Sequence, residues 1–525
     1  MRMNFARTTA ELALRYASQE AVVNVERGRR YSFAEFDRLT NRIINMIHGR
    51  LGLARGDKYL CILDNDNLSL LHAWTAFKGE AAVAWTNYRD SFEEHLWQVD
   101  WLEPKVMFLE SKLVEQYYPA LHERGITVVS MDPPPIAGEG LHHFWDLLDG
   151  VADTNPGFES DALVDKMLYR FTGGTTGRGK CAEYTIDNWL GCRDAFYAPD
   201  EGVFREGCRS LQIAPLSHGP AIGLLPVHFR GGCLVTQNAP DLAQWCQIVE
   251  AEKVTTSSLV PTLAYRLLEL EEADRYDLSS LEAVFYGAAP MSPSKLALLQ
   301  ARFGNIFIQV YGSTECLQAI TQLSKADHLG EGESLARRLA STGRVVQGAE
   351  LMIVDDDGKE VATGEVGELL LRTRSTISGY YRNPEASAQE FHNGFWRSGD
   401  LGFRDAEGYI TIVDRKKDMI ITGGFNVYAI EVENALNAHP AVVMSAVVGI
   451  PHDDWGEAIH AEIIARPGAE IAEDEVIEFV KARIGRHKVP KTMTFVAELP
   501  LSAAHKVLRR KVREKYWTAQ TRQVG

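Results

Sequence analysis

The chain between Lys58 and Met131 alternates short apolar runs with longer amphipathic stretches. The apolar runs are KYLCIL, AVAW, KVMFLE and ITVVSM, and the stretches between them include SLLHAWTAFKG and SFEEHLWQVDWL. This alternation predicts parallel strands joined by crossover helices. It returns at 281–312, where LEAVFYG and IFIQVYG flank the helical segment SPSKLALLQARFG. We therefore predict a doubly wound sheet that binds ligands beyond the carboxyl ends of its strands.

The pattern changes after Ala340. Short strands separated by turn residues, AELMIVDDDGKEV, GELLLRT and GYITIVD, predict an antiparallel β region. The charged stretch DRKKD at 414–418 precedes a final segment with strands and helices that suit a small α+β domain. We therefore predict an α/β protein with a large N-terminal domain at 1–414, made of doubly wound sheets and a β region. A small mobile α+β C-terminal domain is expected at 415–525, with a hinge near 415–418.

Composition excludes several classes of protein. The chain has 45% hydrophobic and 24% charged residues, which is typical of globular proteins. Its net charge of -16 disfavours nucleic acid or an anionic membrane surface as a partner, because both attract positive surfaces. Seven scattered cysteines without a CxxC pair indicate neither a disulfide framework nor a zinc site. The chain starts without the apolar segment of a signal peptide and has no apolar run of membrane-spanning length, so we expect a cytoplasmic enzyme.

The segment FTGGTTGRGKC at 171–181 has part of the spacing of a P-loop. Gly174, Gly179 and Lys180 stand at P-loop positions, but Cys181 replaces the Ser or Thr that would bind Mg²⁺. A neutral thiol is a poor ligand for this cation. Glycine N–H groups, threonine hydroxyls and the lysine ammonium still suit a polyphosphate. From this segment alone, a P-loop, another nucleotide-binding loop and an ordinary glycine-rich turn all remain open.

Two further segments carry groups that suit a nucleotide. YGSTE at 311–315 closes a predicted strand, where Tyr311 could stack on a base and Glu315 could hold Mg²⁺. RSGD at 397–400 places Asp400 in a turn, where its carboxylate could accept hydrogen bonds from both hydroxyls of a ribose. Each segment taken alone is also consistent with a surface turn.

Seven segments in order resemble the adenylate-forming superfamily of acyl-CoA synthetases, firefly luciferases and nonribosomal peptide adenylation domains. They are FTGGTTGRGK, PLSHG around His218, YGAAP at 286–290, YGSTE, the pair GELLLRTRSTISGYY and FWRSGD, GYITIVDRKKDMIITGGFNVYAIEVE at 408–433, and PLSAAHKVLRR at 500–510. The resemblance implies two steps. A carboxylate first attacks the α-phosphate of Mg·ATP, which gives an acyl-adenylate and pyrophosphate. A thiol then displaces AMP.

The resemblance also implies roles for individual residues. Lys506 corresponds to the lysine that supplies positive charge where carboxylate and α-phosphate meet, Thr314 and Glu315 would contact the α-phosphate and Mg²⁺, and His218 would lie at the mouth of the acyl pocket. The other nucleotide-binding positions are Thr172, Gly173, Gly174, Thr175, Thr176, Gly177 and Lys180 for the β and γ phosphates, Gly287, Ala288, Ala289, Tyr311 and Gly312 for adenine, and Asp400 and Arg415 for ribose. Lys417 corresponds to the hinge, and Gly423 and Gly424 would admit the pantetheine arm of coenzyme A.

Four positions depart from the usual pattern of the superfamily. Its members usually have proline at 179 and 429 and glycine at 181 and 505, where this chain has Gly179, Ala429, Cys181 and His505. None of these departures removes a charged catalytic group. We expect them to change loop rigidity and rate, and we expect His505 to crowd the lysine loop.

We therefore expect a free-standing acid:CoA ligase that uses ATP, Mg²⁺ and coenzyme A. Small residues at 287–289 leave room for a lipophilic acid, fatty or aryl, and no aspartate in the adjoining strands marks an amino-acid substrate. The alternatives are a stand-alone enzyme that loads a carrier protein, a luciferase-like oxygenase, a P-loop NTPase and a non-catalytic acyl-binding protein. Release of AMP with pyrophosphate separates ligases from an NTPase, which releases ADP with phosphate. The sequence leaves open whether the protein is a monomer or a homodimer.

Overall fold

The computed structural model describes residues 2–172, 179–197, 202–219, 223–317, 319–469, 471–502 and 505–517. Within these ranges the first large sheet has seven strands, which in spatial order are Cys181–Tyr184, Leu168–Phe171, Ala82–Trp85, Lys58–Ile62, Val106–Leu109, Thr127–Ser130 and Leu141–His143. The first two strands are antiparallel and all other neighbours are parallel. The predicted parallel strands between Lys58 and Met131 are therefore confirmed.

In the described part of the chain, the second large sheet has nine strands. In spatial order they are Arg344–Val345, Thr321–Leu323, Phe307–Tyr311, Ala283–Gly287, Thr256–Leu259, Arg209–Gln212, Cys233–Thr236, Glu20–Asn24 and Arg29–Ser32. The six strands in the middle are parallel, and the edge strands pair antiparallel. YGAAP and YGSTE leave the carboxyl ends of two neighbouring strands of this sheet, as predicted. Arg2–Met3 and Ser160–Asp161 form a separate two-stranded pair.

Helices accompany both sheets. Those of nine or more residues are Phe5–Arg15, Phe33–Gly49, Phe92–Leu102, Ser111–Glu123, Ile186–Tyr197, Leu242–Glu252, Pro261–Glu269, Pro293–Phe303 and Gly332–Ala340. Shorter helices are Asn65–Leu68, Ala73–Ala76, Phe144–Leu148, Leu224–His228 and Pro384–Glu390. Polar side chains start several of them: Ser32 forms a capping box with Glu35, and Ser91 and Asp241 each accept a hydrogen bond from a first-turn N–H group.

The stretch SLLHAWTAFKG is not the single amphipathic helix that its pattern predicts. It forms a 3₁₀ turn at Ser69–Leu71 and a short α-helix at Ala73–Ala76, with His72 between them. All of these residues are buried, and the ring of His72 stacks on Trp85 at a centroid distance of 3.9 Å. A segment that is buried on every side loses the polar face on which helical periodicity depends. The largest hydrophobic cluster joins the two sheets here, since it contains Val83 and Leu168 of the first and Val22 and Leu234 of the second.

The antiparallel β region follows, as predicted. Its strands are Ala349–Val354, Gly367–Thr373, Phe395–Arg404 and Phe391–His392 in spatial order, with Ile410–Arg415 paired to Phe395–Arg404.

The last sheet belongs to the C-terminal segment and begins at Ile420. Its strands are Phe425–Val427, Ile420–Thr422, Gly456–Ala465 and Val442–His452, with Thr492–Phe495 parallel to Gly456–Ala465. Helices Ala429–Asn437, Glu473–Lys481 and Arg509–Glu514 accompany it, and the sheet and the first two helices enclose a core of their own. A large N-terminal α/β domain and a separate C-terminal α+β domain are therefore present.

Two further observations concern the whole described chain. All seven cysteines are buried, and none of them forms a disulfide bond. In the ranges that the structure describes, no helix has both the length and the apolar character needed to cross a membrane.

Candidate functional site

The glycine-rich loop joins two antiparallel strands. Leu168–Phe171 leads into it and Cys181–Tyr184 leads out of it, paired to the first strand. The backbone N–H of Thr172 donates to the carbonyl of Lys180 at 2.8 Å, and the N–H of Lys180 donates to Thr172 Oγ1 at 3.0 Å. A P-loop instead runs from a strand into a helix. The P-loop interpretation is therefore wrong. The predicted residues Gly173, Gly174, Thr175, Thr176 and Gly177 lie outside the described residues.

Two departures from the superfamily pattern have structural reasons in this hairpin. A Cβ atom at Gly179 would lie 2.2 Å from the carbonyl oxygen of Thr172, so this backbone accepts only glycine. Cys181 is a buried strand residue, and burial raises the pKa of its thiol well above the usual range. Cys181 therefore contributes to the core instead of binding a metal ion.

Lys180 lies in a network of charged and phenolic groups. Its ammonium forms an ion pair with Glu390 and lies 3.3 Å from the hydroxyl of Tyr380. The same hydroxyl lies 2.8 Å from Glu315 Oε1 and 2.6 Å from Glu390 Oε2, and it can donate its one proton to only one of them at a time. Burial and the charge of Glu315 raise the pKa of Tyr380, so it stays a neutral donor. The structure thus brings Lys180 and Glu315 together through two residues that sequence reasoning missed.

Thr314 and Glu315 are held by their backbone carbonyls. The hydroxyl of Tyr184 donates to the carbonyl of Thr314 at 2.6 Å, and the N–H of Ile377 donates to that of Glu315 at 2.9 Å. The Glu315 carboxyl is buried, and burial raises its pKa. Mg²⁺ is commonly held by one or two carboxylates together with substrate phosphates. A carboxylate linked through Tyr380 to Lys180 of the predicted phosphate loop fits that requirement.

Asp400 joins the second large sheet to the β region. Its Oδ2 accepts a hydrogen bond of 2.6 Å from the hydroxyl of Tyr311, and its Oδ1 lies 3.3 Å from Nε of Arg415. Arg415 ends the strand that pairs beside Asp400. Three residues predicted to bind the nucleoside are therefore in direct contact.

The segment YGAAP lies beside YGSTE because their strands are neighbours, with Gly287 paired to Val310. A Cβ atom at Gly287 would lie 2.1 Å from the carbonyl oxygen of Val310, so glycine allows this close approach. Ala288 follows with φ of +66°, an unusual conformation for a residue with a side chain. Ala289 and the exposed Gly312 continue the two loops at the same edge of the sheet.

Lys506 lies in a tight turn near the end of the chain. The N–H of Ser502 donates to the carbonyl of Lys506 at 2.8 Å, and the N–H of Lys506 donates to Ser502 Oγ at 3.1 Å. Burial, with the nearby charges of Arg415 and Arg170, lowers the pKa of Lys506 to about 8, while Asp400 acts in the opposite direction. The lysine therefore lies in the same electrostatic environment as the two residues predicted to bind ribose.

His218 belongs to this environment as well. Burial, with the charges of Arg170, Lys506 and Arg89, lowers the pKa of His218 to about 3. Its ring nitrogen Nδ1 lies 3.1 Å from the hydroxyl of Ser217. His218 is therefore a neutral imidazole at physiological pH.

His505 docks the lysine turn instead of crowding it, so that expectation is wrong. Its carbonyl accepts a hydrogen bond from the hydroxyl of Thr262, on helix Pro261–Glu269. Its Nε2 lies 3.3 Å from Nη1 of Arg89. The backbone of His505 has φ of +58°, which is the left-handed region that glycine adopts more easily.

Ala429 also has a structural role that a proline could not fill. Its backbone N–H donates to Asp414 Oδ2 at 2.6 Å, and proline has no N–H. Asp414 Oδ1 lies 3.1 Å from Nη1 of Arg509, three residues after Lys506. Arg509 also contacts Glu433 on helix Ala429–Asn437.

The remaining predicted residues lie at two turns. Lys417 follows the strand Ile410–Arg415 and lies within electrostatic reach of Arg415, Lys180 and Asp400. Gly423 and Gly424 form the exposed tip of the hairpin between Ile420–Thr422 and Phe425–Val427, with φ of +56° and +83°.

Arg170 is a further residue near His218 that sequence reasoning missed. It lies inside the apolar run MLYRF and is buried, and its Nε donates to the carbonyl of Ser217 at 3.0 Å. The sequence carries no signal for it, because a single arginine in a strand normally lies at a surface.

The chain is similar to known proteins over most of its length. A family model described as AMP-binding enzyme matches residues 10–381, and one described as AMP-binding enzyme C-terminal domain matches residues 431–506. A medium/long-chain-fatty-acid–CoA ligase of Mycobacterium tuberculosis is 37% identical over 81% of this chain and 74% of its own length. A feruloyl-CoA synthase of an Amycolatopsis species is 34% identical over 70% of this chain and 73% of its own length.

A solved structure agrees with these relatives. The crystal structure of ATP-bound MatB from Rhodopseudomonas palustris superposes with a TM-score of 0.85 at 26% identity, covering 98% of this chain and 99% of that one. The expected resemblance is confirmed: this chain belongs to the adenylate-forming AMP-binding enzyme family.

Proposed function

We propose that this protein is an ATP-dependent acid:CoA ligase that activates a lipophilic carboxylic acid, fatty or aryl, as its acyl-adenylate and then transfers the acyl group to coenzyme A. One observation carries the proposal. The charges of Lys506, of the neighbouring residues Asp400 and Arg415, and of the region around His218 act on one another. These groups come from three separate parts of the chain. The names of the two ligases described above support a fatty or aryl substrate.

In the first step Lys506 brings two anions together. The attacking carboxylate and the α-phosphate repel each other, and the ammonium placed between them offsets that repulsion. At an effective dielectric constant of about 20, unit charges roughly 4 Å apart interact by about 4 kcal/mol. With its pKa lowered to about 8, Lys506 is still mostly charged at neutral pH and loses its charge as the pH rises above that value.

Other residues hold the nucleotide. Thr172 and Lys180 would bind the terminal phosphates, together with the loop between them. Glu315 would hold Mg²⁺, which neutralises phosphate charge when it is bound. Asp400 and Arg415 would contact the ribose, and Tyr311 with the backbone of 287–289 would enclose adenine.

His218 would lie at the entrance of the acyl pocket. Its depressed pKa keeps the imidazole neutral, so the ring presents an uncharged surface to the acid.

In the second step the small domain would turn about residues 415–418, with domains at 1–414 and 415–525. The strand that ends at Arg415 and the next sheet that begins at Ile420 support a boundary here. Gly423 and Gly424 would then face the acyl-adenylate, and their lack of a Cβ atom would leave space for the pantetheine arm.

The expected partners are the acid, ATP and coenzyme A, with the protein acting as a monomer or homodimer. We place the enzyme in the cytoplasm. Seven buried cysteines that form no disulfide bond support a reducing compartment.

Product analysis tests the proposal. The purified chain is incubated with ATP, Mg²⁺ and a panel of carboxylic acids, with and without coenzyme A. We expect acid-dependent release of AMP and pyrophosphate, and an acyl-CoA product by mass spectrometry. Release of ADP and phosphate, or hydrolysis that ignores the acid, contradicts the proposal.

A pair of variants tests the lysine assignment. Lys506→Ala should lower acid-dependent pyrophosphate exchange by about 10²–10³-fold, as expected for loss of a group that stabilises developing charge. Lys511→Ala removes an exposed lysine from the next helix and should leave the exchange rate unchanged. Normal exchange in Lys506→Ala would mean that another cation does this work.

A further inference from the structure

Arg170 is a buried cation that has no anionic hydrogen-bond partner among the described residues. It is 4% exposed, at the third position of the strand Leu168–Phe171. Its Nε donates to the carbonyl of Ser217 at 3.0 Å, but its Nη1 has no hydrogen-bond acceptor among the described residues. Among the described residues, no carboxylate forms a hydrogen bond with its guanidinium, and Glu315 acts on it through its charge alone.

Such an arrangement is costly for the free protein. Buried charges in proteins are normally paired, because removing a charge from water without compensation costs several kcal/mol. The acidic side chain whose field reaches Arg170 is Glu315, which already lies in contact with Tyr380. The Nη1 group of Arg170 can therefore donate a hydrogen bond to an acceptor outside the described residues, such as an oxygen of a bound ligand.

The surroundings of Arg170 are aromatic and contain further donors. Trp85 is its register partner on the neighbouring parallel strand, so the two side chains lie on the same face of the sheet. Trp189 contacts Trp85 edge-on at a centroid distance of 5.6 Å. The indole N–H groups of both tryptophans are buried and also lack an acceptor among the described residues. This region combines apolar surface with N–H donors.

Arg170 also lies next to the proposed acyl entrance. Its partner Ser217 immediately precedes His218, and the charge of Arg170 is the largest electrostatic influence on the His218 ring. Lys506 is within reach of the same charge. An acid that reaches Lys506 past His218 would therefore extend its body toward Arg170.

We infer that Arg170 is a specificity-determining residue that recognises a hydrogen-bond-accepting oxygen on the apolar body of the acid. The favoured substrate class is thus a lipophilic acid with a carbonyl, hydroxyl, ether or second carboxyl oxygen. An acid without such an oxygen would cover Arg170 and leave its buried N–H donor without an acceptor. This would raise the free energy of the transition state for adenylation of that acid. This inference rests on the proposed function.

The test compares acids matched in length. Straight-chain acids from hexanoic to dodecanoic acid are paired with their oxo analogues, with the carbonyl at each position in turn. Acid-dependent pyrophosphate exchange gives kcat/KM for each. We expect the wild-type enzyme to favour at least one oxo acid over its plain partner by about tenfold or more. Arg170→Met, which keeps an unbranched side chain without charge or N–H donors, should lose that preference while retaining plain-acid activity within about threefold.

Several results would overturn the inference. One is a wild-type enzyme that favours no oxo acid, and another is an equal loss of activity toward all acids in Arg170→Met, which would assign Arg170 to the reacting carboxylate. The thermal midpoint of each variant monitors folding. If Arg170→Met does not fold, the test uses the wild-type enzyme and Arg170→Lys. The lysine variant should then retain part of the wild-type preference for oxo acids over plain acids. If the wild-type enzyme exchanges pyrophosphate with no acid at all, the proposed function fails instead.

Discussion

The hydroxyl of Thr262 donates a hydrogen bond to the carbonyl of His505, the residue before Lys506. This contact joins a helix of the large domain to the turn that carries the lysine. In the proposed mechanism, the contact exists only while Lys506 faces the proposed nucleotide site. The first half-reaction should depend on it more than the second does.

Thr262→Val should slow adenylation and spare thiol transfer. The substitution keeps the shape of the side chain and removes the donor, and one hydrogen bond contributes about 0.5–1.5 kcal/mol, or roughly twofold to tenfold in rate. Acid-dependent pyrophosphate exchange measures the first step, and thioester formation from synthetic acyl-adenylate measures the second. Thr262→Ser keeps the hydroxyl and should behave like the wild-type enzyme. An equal decrease in both steps would mean that the contact supports folding only.

His505 should make docking of the lysine turn sensitive to acid. Burial, with the charges of Arg89 and Arg266, lowers the pKa of His505, so docking favours the neutral ring. The docked state is therefore fully favoured above the ordinary histidine pKa of about 6.5 and is weakened as the pH falls below it. Adenylation should decrease in acid more steeply in the wild-type enzyme than in His505→Gly.

The glycine variant is the informative comparison because glycine adopts the observed φ of +58° without strain. His505→Ala removes the ring but keeps the strain, so it should adenylate more slowly than His505→Gly at neutral pH. Stopped-flow pyrophosphate release between pH 5.5 and 8 gives both profiles. If the adenylation rate decreases identically at low pH in all three proteins, His505 is not the titrating group.

Ala429→Pro should destabilise the protein although proline is usual at this position in the superfamily. The substitution removes the N–H that donates to the buried Asp414, and an unsatisfied buried carboxylate oxygen costs about 1–3 kcal/mol. Thermal unfolding should show a lower midpoint. Ala429→Ser keeps the N–H and should unfold near the wild-type temperature. An unchanged midpoint for the proline variant would show that Arg509 and the N–H of Arg415 are sufficient partners for Asp414.

Gly424→Ala should impair thioester formation selectively. Gly424 has φ of +83° and Gly468 has φ of +78°, and neither would bring an added Cβ within 4 Å of another atom. Alanine should therefore cost each position about the same backbone strain, roughly 1 kcal/mol. Only the Gly424 variant should lose acyl-CoA formation from synthetic acyl-adenylate. If Gly468→Ala loses it equally, strain in the small domain explains the effect.

Much of the fold could be predicted from the sequence because its strands are short, apolar and evenly spaced. The parallel strands before Met131, the strands that precede YGAAP and YGSTE and the antiparallel region after Ala340 are all present. The stretch at 69–77 was misread because it is buried on every side. The P-loop alternative could be set aside from the sequence only through the resemblance, because glycine and lysine spacing does not indicate whether a helix or a strand follows.

The candidate site also contains residues that the sequence could identify and residues that it could not. Asp400, Glu315 and Lys506 lie in segments with recognisable neighbours, so resemblance could identify them. Tyr380, Glu390 and Arg170 acquire their significance from tertiary contacts alone. Nothing in the local sequence around Arg170 indicates that its charge is buried without a carboxylate, because that property depends on strands and loops distant along the chain.

The contacts of Asp414 have a consequence for the order of events. Asp414 is the penultimate residue of the strand Ile410–Arg415, and besides the N–H of Arg415 its carboxylate contacts Ala429 and Arg509, which follow the proposed hinge. If the small domain turned about 415–418 as proposed, Asp414 would lose its contacts with Ala429 and Arg509 and keep the hydrogen bond from the N–H of Arg415. We therefore expect these contacts to favour the present arrangement in the empty enzyme, so that the acyl-adenylate and the incoming thiol supply the free energy of reorientation.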